Sequence, residues 1–253
     1  MNIVLLLFFG LAPSIIWLLF YLRKDANPES NQMILKVFLY GMVATGPAAL
    51  IELGIAEELN RLNFSSFLIS LVYIFIGIAL VEEILKYLVF KGKVERSSEL
   101  DEPLDIMLYM IISALGFAAL ENILVLLSLS PPFIFLKTLS ISIIRFISAT
   151  FLHALCSGAF GFFLAFSFFQ PKKRVKLFLA GITMATLLHG LYNFSIIKIE
   201  TSLTAGEEAE VSRNLGNPIL YFFIIIFILL GLAIFVSWGF KKLKKLKSVC
   251  QTN

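Results

Sequence analysis

Apolar residues run through the chain in long blocks, and the polar ones gather in short intervals between them. Measured against the roughly 20 residues a helix needs to cross a bilayer, seven blocks qualify, at 3–22, 33–55, 65–90, 104–129, 146–169, 176–197 and 219–240. The pattern predicts an all-α, polytopic transmembrane helical bundle of about seven spans. It forms a single integral-membrane domain over 1–253, without internal repeats or a linker. The first block lacks a basic leader and is followed by Arg23-Lys24 rather than a small-residue cleavage site, so it reads as a retained helix. The stretch from Pro131 to Phe169 does not divide cleanly. As one helix it would measure about 58 Å, too long for one span and too short for two with a turn. Its first part, with Lys137, Thr138, Ser140 and Ser142, either lies along the outer interface before span five or extends that span.

Composition sharpens this picture. Of 253 residues, 59% are hydrophobic and only 15% charged, against about 45–50% and 25% in soluble domains. An ordinary water-soluble domain is excluded. The net charge of +4 has a simple address, because Lys and Arg are retained in cytoplasmic loops. An outside N-terminus and an inside C-terminus place fifteen of the twenty-one basic residues within, from Arg23 and Lys24 to the tail Lys241, Lys242, Lys244, Lys245 and Lys247. Arg61, Lys137, Lys198 and Arg213 stay outside. The basic tail then serves as an anchor on an anionic leaflet, with no nucleic-acid role. Cys156 and Cys250 have neither a disulfide pattern nor a metal-knuckle spacing.

Against this apolar background the ionisable residues inside spans carry the information. Each costs at least about 2.5–3.5 kcal/mol at mid-helix unless it faces a bundle interior or a water cavity. With Glu52 and Lys198 set aside at span ends, there remain Glu82, Glu83 and Lys86 in span three, and Glu121 and Asn122 in span four. Arg145 and His153 belong to span five, His189 and Asn193 to span six. Both histidines of the chain are here. Glu82 and Lys86 are four residues apart and share a face, while Glu83 points about 100° away toward a second partner. His189 and Asn193 share a stripe, as do Phe117 and Glu121, and His153 and Ser157. Depths counted from the basic flanks put the diacid near the midplane and Glu121, His153 and His189 in the outer half.

The chemistry open to such a set is narrow. The sequence contains no G-x-S-x-G elbow, no H-E-x-x-H and no glycine-rich phosphate loop. Glutamate and histidine remain. They either hold a metal such as Zn²⁺ with an open position for water, or let a Glu act as general base on a water steered by His and Asn.

The order Glu82-Glu83-x-x-Lys86, Phe117-x-x-x-Glu121-Asn122, an isolated His153 and His189-x-x-x-Asn193 resembles the PrsW family of intramembrane proteases. Those are relatives of the CAAX prenyl endopeptidase and Abi/CPBP proteins. The resemblance covers about residues 78–197. In the wider superfamily a His usually follows the Phe and the first motif ends in Arg; Glu121 and Lys86 here favour the PrsW branch. The resemblance implies Glu82 as the principal catalytic carboxylate with Glu83 beside it, His153 and His189 as water- or metal-positioning groups, and Glu121 as a further site carboxylate. Glu121, His153 and His189, with Glu82, form the implied metal set, and Zn²⁺ is the implied ion. Asn193 is implied as polar support for His189 or an oxyanion, and Lys86, Phe117, Asn122 and Arg145 as structural and charge partners. It also implies a prokaryotic cell-membrane location and a single-pass membrane-protein substrate of the anti-sigma-factor kind, cut near its extracytoplasmic side in the first of two cuts. Two other readings of the same residues stand beside this one: a proton- or cation-coupled transporter or channel, and a non-catalytic interaction or immunity protein on the same scaffold.

Overall fold

The computed structural model describes residues 3–25, 27–129, 135–204 and 217–246. Arg213, Lys247, Cys250 and the start of the 131–146 stretch lie outside the described residues. Among the described residues, seven helical segments are long and apolar enough to cross a membrane, and none is a strand. In order these are α1 (Ile3–Leu22), α2 (Asn31–Asn60), a third span, α5 (Pro103–Leu127), a fifth segment, α8 (Arg174–Thr204) and α9 (Pro218–Leu243).

Two of the seven are composite. The third runs as α3 (Ser66–Val72), a π-helical segment (Tyr73–Leu80) and α4 (Val81–Lys93). The π segment sits directly before the Glu82-Glu83 pair, and such wide turns recur at functional sites because they re-aim the side chains that follow. The fifth breaks at Ser148 (φ −122°, ψ −86°) into α6 (Phe135–Ile147) and α7 (Ala149–Phe169). Where it is described, the ambiguous stretch is therefore a helix that extends span five at its start, joined end to end with α7 and broken at Ser148. α6 buries Thr138 and Ser142 and exposes Leu136, Ile143, Ile144 and Ile147. Its polar side turns inward, where Ser142 donates to the Phe9 carbonyl at 2.7 Å.

The central element is α5, buried almost without interruption from Pro103 to Ala119 and packed by α1, α2, α4, α7 and α9. α2 and α5 approach with backbones nearly touching. A Cβ on Gly41 would collide with the Ser113 carbonyl, and one on Gly116 with the Phe38 carbonyl. Close packing of this kind replaces the hydrophobic drive that lipid does not supply between helices. α9 is peripheral and presents Phe223, Phe227, Leu230 and Ile234 outward.

α2 and α8 are longer than their apolar blocks, because helices continue into the interface where side chains turn polar. α2 ends at Asn60 rather than near 55, so Glu52 is an interior helix position.

Candidate functional site

Four helices bring the expected residues together. Lys86, fully buried on α4, is the hub. Its ammonium lies 3.0 Å from Glu82 Oε2, 2.8 Å from Glu83 Oε1 and 2.8 Å from His153 Nδ1 on α7. One cation thus reaches both carboxylates, since i,i+3 and i,i+4 neighbours flank the same side chain. Glu83 nevertheless finds the second partners expected of it. Its Oε1 lies 3.1 Å from His189 Nδ1 on α8, and its Oε2 accepts from Ser157 on α7 at 2.8 Å.

These partners fix the histidine tautomers. An ammonium only donates, so His153 Nδ1 accepts and the ring proton sits on Nε2. A carboxylate only accepts, so His189 carries its proton on Nδ1 and leaves the Nε2 lone pair facing Glu82 Oε2, 3.8 Å away. His153 Nδ1 faces that same oxygen at 3.6 Å. The two imidazoles stand 5.0 Å apart at 87°.

Behind His153 lies Glu121, on α5. Its Oε2 is 2.8 Å from His153 Nε2 without the alignment of a hydrogen bond, so this buried oxygen is left unsatisfied. Its Oε1 is 3.1 Å from Arg145 Nη2 on α6. Arg145 Nε donates to Asn122 Oδ1 at 2.5 Å, and Asn122 Nδ2 donates to Thr150 at 3.0 Å. This chain ties α5, α6 and α7 together around Glu121. Phe117 lies beneath the Lys86 ammonium, 4.6 Å from ring centre to nitrogen, and its carbonyl accepts from Thr45 on α2 at 3.2 Å.

A cavity of about 340 Å³ opens beside the cluster. Glu82, Glu121, Arg145, His153, His189 and Asn193 all reach its wall; Glu83 and Lys86 lie behind it. Glu52 on α2 also lines it and is half-buried. Hydropathy alone places Glu52 at a span end, because the apolar block stops near residue 55. The signal available was the 41–60 pattern, which keeps helix-forming residues well past Glu52.

Could the set hold a metal? One ligand atom each from Glu82, His153 and His189 lie within 4.8 Å of one another, a span that a single cation can close by small side-chain movements, given ligand distances of about 2.0–2.2 Å. A cation already occupies this ground in the form of the Lys86 ammonium. Glutamate and imidazole suit a zinc-type ion. Glu121 faces the far nitrogen of His153 rather than joining the three. The donor set fits a divalent metal, with Glu82, His153 and His189 converging and one side open to the cavity.

Comparison with known proteins agrees with this geometry. Residues 29–232 match the family described as PrsW family intramembrane metalloprotease. Among curated proteins, the chain is similar to Protease PrsW of Bacillus subtilis, 31% identical over 243 residues, covering 95% of this chain and 94% of that protein. It is also similar to Protease PrsW of Geobacillus kaustophilus, 31% identical over 192 residues, covering 76% and 79%, and to that of Oceanobacillus iheyensis, 30% identical over 195 residues, covering 77% and 84%. No solved structure matches.

Proposed function

This chain belongs to the PrsW family of intramembrane metalloproteases, and on that premise we propose that it hydrolyses a peptide bond of a single-pass membrane protein within the cavity between α2, α5, α7 and α8. The observation that carries the reading is the convergence of two carboxylate-backed histidines on Glu82 Oε2.

Glu82, His153 and His189 would hold the metal. Zn²⁺ is the ion the donor set suits. When bound, such an ion supplies Lewis acidity, activating water and polarising the scissile carbonyl. Glu83 keeps the His189 proton on Nδ1 and so keeps Nε2 directed at the site. A backing carboxylate of this kind orients a ligand and raises its basicity. Glu121 lies 2.8 Å from Nε2 of the other ring, out of hydrogen-bond alignment, so it acts behind His153 rather than as a direct ligand. Lys86 balances the two buried carboxylates. Asn193 offers an amide to the developing oxyanion, and Glu52 lines the same cavity as a group able to return a proton to the leaving amine.

The orientation completes the reading. With the basic loops inside, Glu52, Leu124 and Ile196 mark the outer mouth of the cavity. Cleavage then falls on the extracytoplasmic side of an anti-sigma-factor-like substrate, as the first of two cuts, in the cell membrane. Kinship with CAAX prenyl endopeptidases and Abi/CPBP proteins belongs to the same proposal. Relatives and apolar spans together make this an integral protein of a bacterial membrane. The test reconstitutes the purified protein with a tagged single-pass substrate and maps the product ends by mass spectrometry. Wild type should cut near the outer end of the substrate span, and Glu82→Gln should not. Equal cleavage by both would remove Glu82 from the chemistry.

A further inference from the structure

A second and larger cavity, about 650 Å³, lies at the opposite end of the bundle between α2, α4 and the turn after α4. Four cations reach it, Lys36, Lys91, Lys93 and Arg96, with Glu95 and the hydroxyl of Ser97. Glu95 is already paired with Arg174 at 2.9 Å. Lys93 lies over the Tyr40 ring at 3.8 Å and Lys91 over Tyr87 at 5.9 Å, contacts that leave their charges uncompensated. Ser97 Oγ accepts from the Glu99 amide at 3.2 Å, so its own proton can go to a ligand. The cavity shares no lining residue with the catalytic one.

Its chemistry is that of an anion site, and the surface above it indicates which anion. On α2, Lys36, Leu39 and Val43 follow one stripe, and on α4, Lys91, Leu88 and Ile84 do the same, at i, i+3 or i+4, and i+7. The four apolar members are exposed. Each helix is therefore cationic at the cavity and apolar immediately above it, in the register of a headgroup and its acyl chains. A free phosphate would need only the lower half of this surface.

We propose that this cavity binds the phosphate of an anionic phospholipid headgroup, with the acyl chains lying along the Leu39–Val43 and Ile84–Leu88 stripes. Basic pockets between membrane helices are suited to such headgroups. Here the lipid clasps the ends of α2 and α4, the helices that carry Glu52 and the Glu82-Glu83 pair at their other ends.

The test uses full-length protein in neutral detergent and reads the melting temperature with phosphatidylglycerol, with phosphatidylcholine, or with inorganic phosphate. At about a hundredfold excess over its dissociation constant, phosphatidylglycerol should raise the wild-type midpoint by about 5 °C or more. Phosphatidylcholine and phosphate should leave it within about 1 °C on the same scale. Lys36→Gln/Lys91→Gln/Arg96→Gln should lose the response. Gly92→Phe should lose it too, because a Cβ at Gly92 meets nothing within 4 Å and the ring would fill the cavity without changing charge. A matched control on exposed residues at the same end, Lys172→Gln/Lys173→Gln/Lys176→Gln, should keep it. Equal losses in the cavity and control sets would overturn the proposal in favour of general surface attraction. It would also be overturned by no response in wild type or by phosphate matching the lipid.

Discussion

Among the described residues, two groups of side chains place three potential ligand atoms within 4.8 Å of one another, and of the two only Glu82, His153 and His189 line the cavity beside the diacid. The first is Glu82, His153 and His189, all buried, with a lysine ammonium among them. The second is Asp25, Glu29 and Asp105 at the basic end, where only Asp105 is fully buried. In the second group most acceptors are already employed, although Asp25 Oδ2 is buried without a hydrogen-bond partner. Asp105 Oδ2 takes the amides of Asp101 at 3.1 Å and Glu102 at 2.6 Å, closing the capping box of α5, and Glu29 Oε2 takes the Tyr109 hydroxyl at 2.5 Å. In the first group each histidine is backed by a carboxylate and turns its other nitrogen toward a shared point. Donor spacing alone does not distinguish a metal centre from a helix cap. What the outward-facing atoms of the same residues are bonded to does.

The contrast breaks most visibly in activity. His189→Gln should lower cleavage of a tagged single-pass substrate by at least about 10³-fold, the scale of losing an essential catalytic group, whereas Asp25→Asn should leave the rate within about twofold, as expected of a residue away from the chemistry. Comparable losses in both would erase the distinction.

Stability comes next. Lys86→Met strands two buried carboxylates, and removing one partner of a buried pair costs about 3–5 kcal/mol. Its metal-free melting temperature should fall well below wild type, and added zinc should recover much of the difference by supplying the missing positive charge. A melting curve indifferent to zinc would separate Lys86 from the metal position.

A smaller effect sharpens the role of Glu121. As support for His153 rather than a ligand, Glu121→Ala should cost about 10–100-fold in activity or metal affinity. Glu121→Gln should retain more than Glu121→His, because an amide keeps the shape and an oxygen beside His153 Nε2 and Arg145, while an imidazole brings a second titratable ring beside Arg145. The reverse order would make Glu121 a ligand.

The smallest effect belongs to the second group. Burial holds the Glu29 carboxyl above its ordinary range, against the opposing hydrogen bond from Tyr109. Folding therefore favours its protonated form. The associated stability is complete below the ordinary carboxyl pKa and is lost as pH rises through the elevated folded value. Glu29→Gln should remove that slope, slightly raising the melting temperature near neutral pH and leaving no gain near pH 4, readable from melts across pH.

Much of this was legible in the chain because lipid penalises ionisable residues so heavily. Seven spans followed from apolar run length, and the gathering of Glu82, Glu83, Lys86, Glu121, His153 and His189 followed from their having nowhere else to go. The i, i+4 rule anticipated the Glu82–Lys86 pair but not that Lys86 would also take Glu83, because a flexible side chain reaches both neighbours. Glu52 was lost to a span boundary, where hydropathy falls before the helix ends. The π segment had no signal at all: Tyr73–Leu80 is uniformly apolar, and it packs against α2 and α8, where Gly190 makes room for Phe75. The exclusion of Glu121 from the converging three depends on ring orientation and on Arg145, which lies on a helix that run lengths could not resolve.

Whether Glu82, His153 and His189 hold a metal and the acidic cap does not can be read by counting metal. Elemental analysis of detergent-purified wild type, His153→Ala/His189→Ala and Asp25→Asn/Glu29→Gln would use one preparation for each. About one zinc-type ion per chain is expected in wild type and in the cap variant, and none in the histidine variant, as a three-ligand site requires. Metal retained by the histidine variant, or metal-free wild type that cleaves substrate at full rate, would contradict the assignment.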